Sequence, residues 1–271
     1  MAPERKRIDL LLAEKGLFPS RSAARAAVMA GLVYVDGQKV EKPGTQVSSR
    51  AALEIKELPR YVSRGGLKLE KALREFAIDL TGRVAIDVGA STGGFTDCML
   101  QHGAQKVYSI DVGYGQFDWR LRQDERVVLM ERTNIRYLPP EAIKEPVHFA
   151  AIDVSFISLE LVLPVIQKLV VPEVVTLVKP QFEIGKGRVG KKGVVRDPKD
   201  HLEVLQKVAG IAMDLGYVAV NVTYSPIRGP QGNIEYLLHL LQDPPTPAKN
   251  LDFAQIIALA QQNLTEKGDL P

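Results

Sequence analysis

One cysteine in 271 residues, Cys98, leaves no partner for an intrachain disulfide and no spacing from which a zinc site could be built. The four histidines, His102, His148, His201 and His239, are scattered and form no catalytic or metal-binding pattern. Long hydrophobic runs are also missing. The most apolar stretch, residues 149–178, is broken by Asp153, Glu160, Pro164, Lys168, Pro172 and Glu173, so no bilayer span is predicted. The opening MAPERKRIDLLLAEKG has only three consecutive leucines, short of the apolar core of a secretory signal. Together these absences predict a cytoplasmic protein with no membrane and no metal. What is present is ordinary: 45% hydrophobic and 25% charged residues exclude disorder and collagen-like repeats, and the length suits two domains.

The net charge of +3 conceals an uneven distribution. Residues 1–60 hold 11 Lys or Arg against 7 Asp or Glu, while the rest of the chain is slightly acidic. Within that rest, residues 179–199 carry seven basic and two acidic side chains. Two basic segments flanking a near-neutral body predict a polyanionic partner touched at two places.

The first segment predicts two short helices, residues 8–15 and 21–30, the second capped by Ser20 and stopped by Gly31. Val33 to Val35 alternate into Asp36-Gly37, a two-residue hairpin turn, and a strand at residues 53–55 closes a small sheet. Arg21 and Arg25 share a helix face, and Arg21 sits in the first turn, where the helix dipole disfavours a cation. With Arg5, Lys6 and Arg7, they form a candidate phosphate-binding cluster. The R-x-D-x-x-L opening, the S-R-S-x-A-R helix and the G-x-V-x-V-x-G hairpin resemble the small RNA-binding module named for ribosomal small-subunit protein four.

After a boundary at residues 59–62, Leu69, Leu73 and Phe76 mark one face of a helix, with Lys68 and Lys71 off that face as expected surface lysines. Short apolar runs at 84–88, 106–111, 127–130, 149–153 and 174–178 then alternate with helices at 95–102, 159–169 and 199–215. This predicts a mostly parallel α/β sheet covered on both faces. Asp87, Asp111, Asp153 and Lys179 each fall at the C-terminal end of a strand, where open α/β sheets bind ligands. The loop DVGASTGG lacks G-x-G-x-x-G spacing, which argues against a pyrophosphate. Gly89, Gly93 and Gly94 allow close backbone approach, and Asp111 is placed to accept from ribose hydroxyls, so a nucleoside without a diphosphate is expected. Tyr114 and Trp119 are assigned either to the adenosine or to the core, and Phe182 to local structure or base stacking.

The ordered segments IDVGASTGGFTD, DVGYGQ, ERTN, DVSFISL, LVKPQFE and GNIEYLLHL resemble the TlyA family, whose members carry the names hemolysin A and rRNA 2′-O-methyltransferase. The resemblance implies a Rossmann-like, FtsJ-like methyltransferase domain at residues 63–243, after an RNA-binding domain at 1–58 and before a linker and helix at 244–271. It implies S-adenosylmethionine as cofactor, ribosomal RNA or ribosomal subunits as partner and cytidine as the methylated nucleoside. It also implies a Lys-Asp-Lys-Glu catalytic set at Lys68, Asp153, Lys179 and Glu235, with Lys71 the alternative first lysine. In that reading Lys179 orients and deprotonates the hydroxyl, Asp153 and Glu235 hold the lysines, and Lys68 stabilises developing negative charge. Asp87, Gly89, Ala90, Ser91, Gly93, Gly94, Asp111 and Asn134 are assigned to the cofactor. Arg5, Lys6, Arg7, Arg21, Arg25, Arg60, Lys186 and Arg188 are assigned to RNA. The alternative of a membrane-active, pore-forming hemolysin has little physical support in a sequence with no apolar span and no strongly amphipathic basic helix with aromatic anchors. A pseudouridine synthase lacks its R-L-D motif, and a non-catalytic RNA binder has no use for a complete catalytic set.

Overall fold

The computed structural model describes residues 4–56, 60–185, 187–190, 193–244 and 251–266. The chain divides into two compact units, Met1–Arg60 and Tyr61–Pro271. Tyr61 and Val62, expected in the linker, belong to the second unit. Tyr61 is buried in its core, and the Val62 amide donates to the Asp97 carboxylate at 2.8 Å.

The first unit contains β1 (Arg5–Arg7), α1 (Ile8–Glu14), α2 (Arg21–Met29), β2 (Val33–Val35), β3 (Gln38–Val40), β4 (Gln46–Ser48) and β5 (Leu53–Ile55). The Ser20 hydroxyl accepts from the Ala23 amide at 3.1 Å, as an N-cap should. Asp36 and Gly37 both take positive φ, which turns β2 into β3, and β5 pairs with the other edge of β2. The pairing of β1 with β4 was not predicted, because Arg5-Lys6-Arg7 has no apolar alternation. Ile8, Leu12, Ala24, Val28 and Val33 are fully buried and form the core.

Arg21 does not merely oppose the helix dipole, as the sequence suggested. Its guanidinium donates to Asp9 at 3.0 Å, and Arg7 holds the same carboxylate at 3.0 and 3.1 Å. Asp9 is itself 1% exposed. The bond from Arg7, with that from Arg21, keeps its carboxyl below the ordinary value of 3.8 despite burial. A carboxyl depressed on folding stabilises above its unfolded value and loses that contribution as pH falls through the folded one. Arg7→Ala should therefore make α1 lose amide-exchange protection at a higher pH than in the wild-type chain; identical acid profiles would contradict this.

The second unit contains α3 (Gly65–Phe76), β6 (Val84–Val88), α4 (Gly94–Gln101), β7 (Lys106–Ile110), α5 (Trp119–Arg122), β8 (Val127–Met130) and β9 (Phe149–Ile152). They are followed by α6 (Leu163–Lys168), β10 (Glu173–Val178), α7 (Pro180–Glu183), α8 (Pro198–Asp214), β11 (Val218–Tyr224), β12 (Tyr236–Leu241) and α9 (Phe253–Glu266). One seven-stranded sheet has the order β11-β12-β10-β9-β6-β7-β8. Its first five strands in sequence are parallel, and β12 and β11 are antiparallel. Asp197 caps α8 through the Lys199 amide with Pro198 in the first turn, as predicted. The predicted 159–169 helix is a single 3-10 turn followed by α6. α9 packs on α8 and β11 through Ile257 and Ala260, as expected; residues 245–250 of the expected linker lie outside the described residues.

Candidate active site

The strand order fixes where chemistry can occur. From β6 the chain proceeds one way to β7 and β8 and the other way to β9 and β10, so the β6–β9 boundary is a topological switch point. Asp111, Asp153 and Lys179 directly follow β7, β9 and β10, and so emerge at one edge of the sheet. Because β12 runs antiparallel, with Tyr236 opposite Val178, Glu235 enters at that same edge. α3 packs against β12 and brings Lys68 to it.

These four side chains form one cluster. Lys68 donates to Glu235 at 2.6 Å and lies 4.0 Å from Asp153. Lys179 lies 2.6 Å from the other Asp153 oxygen and donates to the Ser155 hydroxyl at 2.9 Å. Lys68, Lys179 and Glu235 are 7%, 7% and 1% exposed. Lys68 is thus no surface lysine: α3 is covered by β11 and β12 as well as by α4, so the side of the helix away from Leu69 is also buried. Lys71 turns away from the cluster and donates to the Tyr224 carbonyl at 2.8 Å, which leaves Lys68 as the lysine that meets Asp153. Ser155, which the sequence reading missed, stands two residues past the strand-end aspartate in DVSF, and that position is its only signal.

Two cavities meet at this cluster. One of about 430 Å³ is lined by Lys68, Asp153, Ser155, Lys179 and Glu235, with Gly89, Ala90, Ser91 and Gly94 from the glycine loop. A second of about 710 Å³ is lined by Asp111, Asn134, Ile110, Ile135, Phe156 and Leu161. Gly89, Ser91, Asp153 and Ser155 belong to both walls. The second cavity combines apolar walls with a strand-end carboxylate, which suits a purine nucleoside, and shares Asp153 and Ser155 with the wall of the lysine–carboxylate cluster. It therefore fits S-adenosylmethionine, which Asp111, Asn134 and the glycine loop would hold. Asp111 accepts from the Ser91 amide at 2.7 Å and the Gly113 amide at 2.6 Å, and Asn134 caps a turn through the Arg136 amide.

Two residues assigned to the cofactor stand behind these walls. Asp87 lines neither cavity; it is fully buried beneath the loop, accepts from Thr96 at 2.6 Å, and burial pushes its carboxyl up to about 7. Gly93 also lines neither cavity. Gly89, on the walls of both cavities, is also required by the protein's own packing: with φ +87°, a Cβ there would lie 2.4 Å from the Asp153 carbonyl oxygen. Gly89→Ala should therefore cost about 1–3 kcal/mol of stability and weaken cofactor binding, measured by thermal denaturation and calorimetry; an unchanged protein would contradict this. Tyr114 and Trp119, 67% and 68% exposed, are neither core residues nor cavity walls; Arg132 lies 4.0 Å above the Tyr114 ring. Phe182 packs against the exposed Phe156 at 5.1 Å between ring centroids.

Among residues assigned to RNA, Arg25 and Arg60 are exposed. Arg5 donates to the Gln46 carbonyl at 2.9 Å, Lys6 pairs with Glu14 at 2.8 Å, and Arg7 and Arg21 share Asp9. Arg7 and Arg21 remain about half exposed, so Asp9 orients two guanidinia without covering them. Arg188 is clamped by Asp200 and, at 2.6 Å, by Glu203, which offsets the charge expected of its loop. Lys186 lies outside the described residues.

A model of FtsJ-like methyltransferases matches residues 61–241, and one of the S4 domain matches residues 6–51. The chain is 53% identical over 244 residues to YqxC of Bacillus subtilis, provisionally named an rRNA methyltransferase, covering 89% of this chain and 87% of that one. It is 48% identical over 240 residues to the 16S/23S rRNA (cytidine-2′-O)-methyltransferase TlyA of Mycobacterium tuberculosis, covering 87% and 90%. A solved structure from Streptococcus thermophilus, named for a hemolysin, superposes with a TM-score of 0.75 at 45% identity over 98% of each chain.

Proposed function

The chain belongs to the FtsJ-like methyltransferase family, and from that premise we propose that it methylates the ribose 2′-hydroxyl of a cytidine in ribosomal RNA. The observation that carries this reading is the Lys68–Asp153–Lys179–Glu235 cluster on the wall shared by two cavities. S-adenosylmethionine, when bound, supplies a methyl group on a positively charged sulfur, an electrophile that needs an aligned nucleophile. The protein provides the alignment, which contributes several kcal/mol by itself. Lys179, fixed by Asp153 and Ser155, orients the hydroxyl and, in its neutral amine form, takes its proton to become the ammonium that pairs with Asp153. Lys68, fixed by Glu235, places positive charge beside the oxygen as negative charge develops there. The S4 domain holds RNA through Arg7, Arg21 and Arg25, and ribosomal subunits are the partner. Among the described residues no helix is long and apolar enough to cross a membrane. The proposed action on ribosomal RNA supports reading the enzyme as cytoplasmic.

The test is mass mapping of rRNA after incubating small subunits, large subunits and naked rRNA separately with enzyme and S-adenosylmethionine. A cytidine gaining one methyl on its ribose is expected. A methyl on a base, or no modified RNA in any arm, would overturn the reading.

A further inference from the structure

Beside the catalytic cavity lies a second basic one. It measures about 390 Å³ and is lined by Arg64, Lys71, Arg74, Glu75, Tyr224 and Arg228, among others. Arg64, Ile227 and Arg228 border both, so the two cavities adjoin. Lys71 is 9% exposed, and its ammonium sits 3.3 Å from the centre of the Tyr224 ring, which Asn263 steadies through the phenol oxygen at 2.7 Å. The single carboxylate on the lining, Glu75, stands off at 3.9 Å from Lys71 and 3.8 Å from Arg74. Four cations thus face one loosely placed carboxylate. Burial holds Lys71 down to about 8 against the opposing pull of Glu75.

We infer that this cavity receives a backbone phosphate of the RNA strand next to the ribose being methylated, an inference that rests on the RNA methyltransferase reading above. The unneutralised charge calls for an anion, and the shared wall limits which one. In RNA the 2′-carbon is bonded to the carbon whose oxygen carries the next phosphate, so a phosphate accompanies every 2′-hydroxyl at short range. Lys68 and Lys71 are three residues apart on one helix, a separation of roughly 5–6 Å between their Cβ atoms. Their side chains diverge into the two cavities, which adjoin through Arg64, Ile227 and Arg228, so a hydroxyl held in the first leaves its phosphate facing the second. A purely structural Lys71, pinning the Tyr224 carbonyl, would account for one hydrogen bond but not for Arg64 and Arg74 on the same lining; Arg228 is itself held by the Gly232 carbonyl at 2.7 Å.

The test uses Lys71→Met and Arg74→Ala in the full-length protein. Arg74 has a side chain 70% exposed, so its removal leaves the fold intact. Binding of 16S and 23S rRNA is measured by filter retention with S-adenosylhomocysteine present, from about 50 to about 200 mM salt. Each variant should bind about tenfold more weakly, with the log–log salt slope shallower by about one. The loss should appear in KM for rRNA rather than in calorimetric affinity for S-adenosylmethionine, and Lys71→Arg should recover most of it. Wild-type affinity and slope in both variants would overturn the phosphate site, as would a loss confined to Lys71→Met that follows its melting temperature. Wild-type protein that binds rRNA yet methylates none of it would instead overturn the activity, which the same binding comparison does not require.

Discussion

Lys179→Ala is expected to slow methyl transfer by about 10²–10⁴-fold, the range over which a positioned proton acceptor acts, with affinity for S-adenosylmethionine nearly intact. The separation follows from the walls of the two cavities. Lys179 lines the smaller one and not the larger one that fits the cofactor, whereas Asp153 lines both. Asp153→Ala should accordingly damage binding and turnover together. Lys179→Arg should not rescue, because a guanidinium keeps its proton and has a different shape. Single-turnover transfer of a labelled methyl group, with calorimetry for the cofactor, reads both effects. Retained transfer in Lys179→Ala would remove Lys179 from the mechanism.

Part of this site was legible in the sequence because strand ends are legible. Asp111, Asp153 and Lys179 close short apolar runs, and an open parallel sheet brings such ends to one edge. Lys68 was not legible by periodicity. The pattern of Leu69, Leu73 and Phe76 marks one buried face of α3 and says nothing of a second face covered by β11 and β12, whose antiparallel course no local signal announced. The resemblance supplied Lys68 and Glu235, and the return of β12 supplies the reason they meet. The glycine loop carries a second demand that the sequence did not show. Gly89 and Gly93 lack side chains because Asp153, Leu121 and Phe117 occupy that space, and a sequence cannot distinguish that from space kept for a ligand. In the first unit, local chemistry sufficed for the Asp36-Gly37 hairpin and the Ser20 cap, whereas the Asp9 clamp on Arg7 and Arg21 depends on α2 packing against α1, which brings Arg21 to Asp9 from twelve residues away.

The pair Lys68–Glu235 yields the second large effect, and it separates stability from catalysis. Glu235 is 1% exposed, and Gly229 packs so closely over it that a Cβ there would lie 2.4 Å from its carboxylate. Glu235→Leu leaves the Lys68 ammonium buried with Asp153 no nearer than 4.0 Å. Stranding one partner of a buried pair costs about 3–5 kcal/mol, which for a unit of this size lowers the melting temperature on the order of 10 °C. Removing both charges with Lys68→Met/Glu235→Leu should return most of that stability, since an apolar pair of similar volume often replaces a buried ion pair without loss. Methyl transfer should remain lost in the double variant, because the positive charge beside the hydroxyl oxygen is gone. A double variant as unstable as the single one would mean that the pair itself holds α3 to β12. A double variant with recovered activity would mean that the charge of Lys68 plays no part in the reaction. Recovery of stability without activity is the result expected if this buried charge pair is kept for the chemistry rather than for the fold.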